Sequence, residues 1–249
     1  MWLRTPDTIA QPLWEGPLEA DNREAVDRLD RELSVRKATA DVSRALQELP
    51  VVSIGRPEVW RLQEVYPVDQ MPGEMRAKLE EADFYLVRLA CSFRPRRREN
   101  RIEWARFVVQ LRPDPASYKA IAFDLHPLQV TREAKRNVKV SLSPTLKFQE
   151  VEASLGEVAF GLEYPELQPL ISAAGAGESQ PSWDYESVKG VRVQGSKWMH
   201  LLVKAPKEMR TGLASLDLVA DVQIYNARLP VQIPKGREEE TDHLGVQLW

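Results

Sequence analysis

The chain is poor in cysteine: Cys91 is the only one among 249 residues. One thiol cannot form an internal disulfide, and a cysteine-based structural zinc site needs at least two thiolates. A chain of this length buries enough apolar surface to fold without either device. The sequence therefore predicts a core held together by packing, and we expect no cofactor.

Long hydrophobic runs are also absent. No stretch approaches the roughly 18 consecutive apolar residues of a membrane span. The first residues, Met1 to Asp7, lack the basic region and apolar stretch of a secretory signal peptide. The composition, 43% hydrophobic and 29% charged, is that of a folded globular protein. We therefore expect a cytoplasmic protein that does not contact a membrane.

The motifs of common enzyme classes are missing. Histidine occurs only as His126, His200 and His243, which are far apart in sequence and form no His-Glu-x-x-His zinc motif. The sequence has no G-x-S-x-G nucleophile elbow, no G-x-x-x-x-G-K-[ST] phosphate loop and no G-x-G-x-x-G dinucleotide fingerprint. These absences favour a protein that is not an enzyme.

Two pairs of side chains keep an enzymatic alternative open. Asp124 and His126 are two residues apart, so in a strand they share a face and can support acid–base chemistry. Asp217 and Asp221 share a face of another predicted strand, and paired carboxylates can bind a metal or share a proton. We expect structural roles for both pairs and keep a hydrolase as the last alternative.

A helix is predicted after an irregular start. Asp21 or Asn22 is suited to cap a helix that runs to about Glu48. Its apolar stripe changes register near Leu33 and Val35, which indicates a break or a bend. The stripe packs on the helix's own domain or, alternatively, pairs with another chain, including a second copy of this one.

From Asp83 onwards the apolar residues alternate with polar ones, as they do in strands. Cys91 shares a predicted strand face with Leu89 and Phe93, which predicts a buried and inert thiol. Roughly ten short strands indicate a mainly β fold, an antiparallel β-sandwich or barrel-like domain with an N-terminal helical extension. The predicted divisions are an irregular N-terminus with an amphipathic helix (1–50), a connector with a short helix (51–82), the β-sandwich (83–233) and an acidic tail (234–249).

Residues 165–190 are predicted to form a long irregular loop. The loop carries Trp183 and Tyr185 beside glycine and proline, and aromatic groups in such a loop can line a binding site. Alternatively, these rings and Trp198 close the end of the sandwich.

Charge is distributed in three blocks. The net charge is −5 over residues 1–82, +8 over 83–149 and −6 over 150–249. Either the blocks neutralise one another in the fold, or the basic block meets an acidic partner.

The arginine segment, residues 94–101, is the sharpest feature of the basic block. We predict that it forms the tip of a hairpin, where guanidinium groups can bind phosphates or carboxylates. Alternatively, it is a solvated hairpin that discourages edge aggregation. The candidate binding residues are Arg94, Arg96, Arg97, Arg98, Arg101 and Trp104, together with Trp183 and Tyr185.

These observations predict a non-enzymatic protein-interaction or scaffold module of a cytoplasmic assembly. It would bind a partner protein through the N-terminal helix, the arginine segment or the aromatic loop. The first alternative is a binder of nucleic acid, or of a phosphorylated ligand, through the arginine segment. The overall net charge of −3 argues against a dedicated nucleic-acid binder.

Overall fold

A computed structural model describes residues 2–3, 12–35, 42–66, 68–97, 100–133, 138–141, 147–148, 167–225, 227–234 and 244–249. The helices are α1 (Arg23–Val35), α2 (Val42–Gln47), α3 (Leu62–Val65) and α4 (Gly73–Glu81), with a 3₁₀ turn at Val68–Gln70. The strands, in chain order, are β1 (Trp2–Leu3), β2 (Pro12–Pro17), β3 (Glu19–Ala20), β4 (Val51–Gly55), β5 (Glu58–Arg61), β6 (Ala82–Arg94), β7 (Arg101–Arg112), β8 (Ile121–His126), β9 (Gln129–Glu133), β10 (Val138–Ser141), β11 (Lys147–Phe148), β12 (Leu167–Ala174), β13 (Ser182–Glu186), β14 (Gly195–Pro206), β15 (Leu213–Ile224), β16 (Ala227–Gln232) and β17 (Leu244–Gln247).

Two antiparallel sheets form a β-sandwich. The first sheet has the order β2-β4-β6-β14-β8, and β5 pairs with the part of β6 that β4 leaves open. The second has the order β10-β9-β12-β13-β7-β15-β16-β3, and β17 extends the row of β16 along β15. Neither sheet closes on itself among the described strands, so the predicted mainly β sandwich is confirmed.

The core lies between the two sheets and follows the predicted alternation. On β6, residues Tyr85 to Phe93 at odd positions all face this core, and Cys91 is among them. Phe107 and Leu218 face it from the second sheet. Because burial of one large apolar side chain contributes about 1.5–3 kcal/mol, this shared layer is the main source of stability.

The outer faces of the two sheets differ. The first sheet is also apolar on its outer face, where Phe84 and Leu202 pack against Leu62 and Met75 of α3 and α4. Outer positions of the second sheet, such as Trp104, remain half-exposed. None of the helices in the described part of the chain is long and apolar enough to cross a membrane.

Helix α1 begins at one of the two predicted caps. Asn22 caps it, since its side-chain oxygen accepts a hydrogen bond of 2.8 Å from the backbone N–H of Ala25. Helix α1, Arg23–Val35, buries Ala25, Leu29 and Leu33 in the core of the sandwich. Helix α2 spans Val42–Gln47, and residues 36–41 between the two lie outside the described part of the chain, so the predicted run of one helix to about Glu48 stays a prediction there.

The sandwich begins earlier in the chain than the predicted boundary at residue 83. Strands β2 to β5 precede that residue and belong to the two sheets. They are short, and each either lies at a sheet edge or shares one edge of the longer strand β6 with another short strand. Residues 165–190, predicted as a loop, contain β12 and β13.

The predicted acidic tail also contains a strand. Leu244–Gln247 pairs with the start of β15, while residues 235–243 lie outside the described part of the chain. Trp249 then stacks on Tyr85, with ring centroids 4.1 Å apart and ring planes 7° from parallel. The backbones of Gly212 and Trp249 are joined by a hydrogen bond of 3.1 Å. Trp249 therefore packs between the two layers.

Candidate functional site

The arginine segment is not a hairpin tip. Among the described residues, β6 pairs only with first-sheet strands and β7 only with second-sheet strands. The segment therefore crosses from one layer of the sandwich to the other as an arch. The prediction of a hairpin was wrong because alternation shows that two strands exist but does not show which strands pair.

The described arginines of this arch all have partners within the chain. Arg94 forms an ion pair of 2.9 Å with Glu15, and Arg97 forms one with Glu48. Arg96 donates a hydrogen bond of 2.9 Å to the Gln47 carbonyl. Arg101 pairs with Glu103, and Arg98 lies outside the described residues.

Asn100 shows what the arch does for the fold. Its side chain is 1% exposed and donates a hydrogen bond of 3.1 Å to the Glu48 carbonyl. Together with Arg96, it satisfies carbonyls that the short helix α2 leaves without intrahelical donors. The arch therefore holds the C-terminal end of α2, a role that the sequence analysis missed.

The ion pairs also account for the charge blocks. Arg94, Arg97 and Arg88 of the basic block pair with Glu15, Glu48 and Glu58 of the first acidic block. A fourth pair, Arg106 with Asp184, joins the basic block to the third block. Neutralisation within the fold, one of the two alternatives, is thus observed for these residues.

Trp183 and Tyr185 lie on strand β13 rather than on a loop. They are 0% and 1% exposed, and both face the core. The Tyr185 hydroxyl lies 2.8 Å from the sulfur of Met199, and its ring meets Phe93 edge-on at 5.6 Å. Their alternation around Asp184 is the signal that would have identified a strand. A ligand would reach these rings only if the core opened.

Trp104 is the predicted aromatic binding residue that reaches the surface. Its register partners are Glu186 on β13 and Asp221 on β15, so the three side chains lie side by side on the outer face. We call this set the acidic row: Glu186, Trp104 and Asp221. It lines a groove of 470 Å³ together with Glu103, Ser187 and Arg228.

A β-bulge shapes this groove. Asp221 on β15 pairs with Trp104, but the next residue, Val222, pairs with Ile102. Glu103 is therefore the extra, bulged residue on β7. Glu103 therefore lines the groove beside its sequence neighbour, although adjacent strand residues normally point to opposite faces. Arg101 pairs with Glu103 at 2.8 Å.

Arg106 lies against the acidic row. Its guanidinium carbon is 5.3 Å from the centre of the Trp104 ring. Two hydrogen bonds, of 2.7 and 2.9 Å, join it to both carboxylate oxygens of Asp184. The hydrogen bonds to Asp184 raise the pKa of Arg106, so this cation is fixed in place.

A second groove adjoins the first on the side of the arginine segment. It has a volume of 650 Å³ and shares Glu103 and Ser187 with the first groove. Its cationic residues are Arg101, Lys189 and Arg192. Arg101 of the predicted arginine site thus lines a concave surface.

The outer face of the first sheet carries a cation between two rings. The guanidinium carbon of Arg88 is 5.3 Å from the centre of the Trp60 ring and 5.2 Å from that of Trp198. Glu58 accepts a hydrogen bond of 2.5 Å from Arg88. Because this cation is held inside the protein, Trp198, although 47% exposed, has its aromatic face engaged.

The proposed acid–base pair lies next to this cluster. His126 and Asp124 share the outer face of β8, as predicted, and His126 faces His200 on β14. Burial lowers the pKa of His126 to about 4, and burial together with His126 and Arg88 lowers that of His200 to about 3. Both imidazoles are therefore neutral at pH 7 and are weak bases there.

The second carboxylate pair is too far apart for shared chemistry. Asp217 and Asp221 both lie on the outer side of β15, but four strand residues span about 13 Å. Two carboxylates at that distance cannot share a proton or one metal ion. In the part of the chain that the structure describes, no three His, Cys, Asp or Glu side chains are grouped to hold a metal.

The fold thus defines the chain as an antiparallel β-sandwich protein. No family model and no curated protein matches the sequence. Among solved structures, the NetB toxin of Clostridium perfringens in its membrane-inserted form matches at 10% identity, over 74% of this chain and 85% of that one. The TM-score is 0.31, and a likeness at that level supports no inference about this chain.

Proposed function

We propose that the chain is a non-enzymatic protein-interaction module that binds its partner on the outer face of the second sheet. The acidic row carries this proposal. It combines a half-exposed aromatic ring with two carboxylates, Glu186 and Asp221, for which no ion pair is found among the described residues. Aromatic side chains in concave, partly desolvated surfaces are typical of the positions that dominate protein binding.

The contacts of the arginine segment favour the Trp104 groove over that segment as the docking surface. Arg96 and Arg97 already bind acceptors at the end of α2, and Arg94 binds Glu15 on β2, so recruiting them to a partner would break these contacts. Opening the Trp104 groove to a partner breaks none of these contacts. The outer face of the second sheet is therefore the less costly docking surface.

The test is capture of partners from native lysate by the tagged full chain, after nuclease treatment, with identification by mass spectrometry. Three proteins are compared: the wild type, Trp104→Ala and Trp198→Ala. The Trp198 variant is the matched control, because it removes an exposed tryptophan from the opposite face of the sandwich. We expect at least one stoichiometric partner that Trp104→Ala loses and Trp198→Ala retains.

An unchanged set of captured proteins with Trp104→Ala would contradict the proposal, provided that the variant melts within a few degrees of the wild type. Loss of every partner on nuclease treatment would contradict it too. Trp104→Phe, which keeps an aromatic ring, should retain part of the binding.

The second candidate function is binding of nucleic acid or of a phosphorylated ligand. The groove with Arg101, Lys189 and Arg192 favours it, since three cations line one concave surface. Lys189→Ala with Arg192→Ala removes two of these charges without touching the contacts of α2. This candidate predicts binding of a labelled single-stranded oligonucleotide that weakens steeply with salt and is lost in the double variant. Absence of binding at low salt would exclude nucleic acid.

Self-association through α1 remains a prediction, as do a cytoplasmic location and the absence of enzymatic activity. Equilibrium sedimentation of the full chain measures the first. An activity screen with added metals tests for enzymatic activity, and any activity found is then measured in His126→Ala.

A further inference from the structure

The chemistry of the Trp104 groove leads to a further inference, which rests on the proposed function because it concerns the same surface. We propose that the groove receives a lysine or arginine side chain from an extended segment of the partner protein. The cation would lie against the ring of Trp104, between the carboxylates of Glu186 and Asp221.

The first support is the spacing of the acidic row. Glu186, Trp104 and Asp221 are register partners on three adjacent strands, and adjacent strands are about 4.8 Å apart. A cation centred above the ring is therefore within reach of a carboxylate on either side. A ring flanked by two carboxylates attracts a cation by both its quadrupole and its neighbours' charge.

The second support is that the chain already uses this chemistry at the same ring. Arg106 lies over the Trp104 ring and binds both oxygens of Asp184. A tryptophan ring has two faces, and one guanidinium occupies only one of them. The acidic row offers an incoming cation the same combination of ring and carboxylate that Arg106 has with Asp184.

The third support is the balance of charge in the groove. Glu103 is paired with Arg101, whereas Glu186 and Asp221 have no ion pair among the residues described. Among the described residues that line the groove, Arg228 is the cationic one, so their charges sum to a net negative value. A partner that brought an acidic or a purely apolar group would desolvate these carboxylates without compensation.

The volume of the groove fits a side chain presented by a peptide. At 470 Å³ it exceeds what one lysine fills, and it lies on a sheet face formed by the 12-residue strands β7 and β15. Arg228 can then donate to a backbone carbonyl of the same segment. A free polyamine is the competing occupant, and the experiment separates the two.

The test selects random dodecapeptides by phage display on four full-length proteins. These are the wild type, Trp104→Ala, the double variant Glu186→Lys/Asp221→Lys, and the control Glu80→Lys/Glu81→Lys. The control makes the same change of charge on α4, an exposed helix on the other side of the sandwich. We expect lysine- and arginine-rich peptides from the wild type and the control, acidic peptides or none from the reversed double variant, and none from Trp104→Ala.

A selected peptide is then synthesised and titrated. Replacing its central lysine by norleucine should weaken binding about tenfold or more, because this removes a charged hydrogen bond and keeps the aliphatic chain. Glu186→Gln with Asp221→Asn should weaken binding by a similar factor. Raising the salt concentration should weaken it further.

The outcomes separate this inference from the proposed function. Peptides that depend on Trp104 but show no excess of lysine or arginine would overturn the inference and leave the docking surface intact. Absence of any peptide that depends on Trp104, or displacement of peptide by spermidine at equal concentration, would also overturn it. Failure of the proposed function itself is read separately, from lysate capture that Trp104→Ala leaves unchanged.

Discussion

His126 and His200 face each other across neighbouring strands of the first sheet, with ring centroids 6.0 Å apart. They are 2% and 3% exposed, so both rings are enclosed by protein. Arg88 is the register partner of His200 on the other side, and Asp124 precedes His126 on the same face. This burial lowers the pKa of both imidazoles and keeps them neutral, and for His200 the charges of His126 and Arg88 lower the pKa further.

Stability should fall on acidification because of this pair. Both pKa values lie below the ordinary 6.5, at about 4 and about 3, so between these values and 6.5 the unfolded chain binds protons that the folded chain does not. The contribution of the two neutral histidines to the free energy of unfolding is therefore complete above pH 6.5 and is lost as the pH falls towards their folded-state pKa values. Between pH 7 and pH 4.5, each histidine should lower the free energy of unfolding by on the order of 2 kcal/mol.

The measurement is urea unfolding from pH 8 to pH 4.5 for the wild type, His200→Gln and His126→Gln. Each variant lacks one titrating group, so its stability should decline less steeply over this interval. Parallel declines for all three proteins would show that the histidines do not control the acid response.

Replacing Asn100 should loosen the end of helix α2. Its buried amide donates to the Glu48 carbonyl, so Asn100→Ala leaves that carbonyl without this donor and should lower the free energy of unfolding by about 1–2 kcal/mol. Arg96→Ala is the matched control, because Arg96 is exposed and donates to the adjacent carbonyl of Gln47. It should cost less than half as much by the same urea measurement; equal costs would argue against a special role for Asn100.

Gly212 should tolerate no side chain. A Cβ at this position would overlap the ring of Trp249, which is itself stacked on Tyr85. Gly212→Ala should therefore displace Trp249 and lower the melting temperature by several degrees, with a change in near-ultraviolet circular dichroism. Gly245→Ala, on β17 with nothing within 4 Å of its added Cβ, is the control and should change neither quantity.

The thiol of Cys91 should report global unfolding. Burial raises its pKa to about 12, so the folded chain exposes no thiolate at pH 8. Because Cys91 is the chain's single cysteine, its reaction with a chromogenic disulfide reagent should be negligible in buffer and stoichiometric in urea. Rapid labelling of the folded protein would contradict the placement of Cys91 in the core.

The sequence predicted the interior of the sandwich better than its surface. The alternation of β6 and β15 identifies the residues that face the core, because one apolar face must be buried whatever strands lie alongside. The same pattern does not show which strands pair. Alternation therefore predicts a hairpin at residues 94–101, where the structure has an arch, and a loop around Trp183 and Tyr185, where it has strand β13.

The acidic row shows the same limit at the candidate site. Trp104 was identified from its own position, but Glu186 and Asp221 join it only through the register of three strands. Glu103 joins the groove through a bulge, which shifts that register by one residue. Neither register nor bulge has a local signature in the sequence, so the carboxylates around Trp104 could not be foreseen.

The two longest pairings of the sandwich have a kinetic consequence. Strand β6 pairs with β14, and β7 pairs with β15, and in each pair the partners are more than a hundred positions apart in the chain. The same two stretches of sequence, β6 with β7 and β14 with β15, thus supply the centre of both layers. The central pairing of each layer therefore requires these distant stretches to meet, and we expect the entropy of closing such long loops to make assembly of both layers slow.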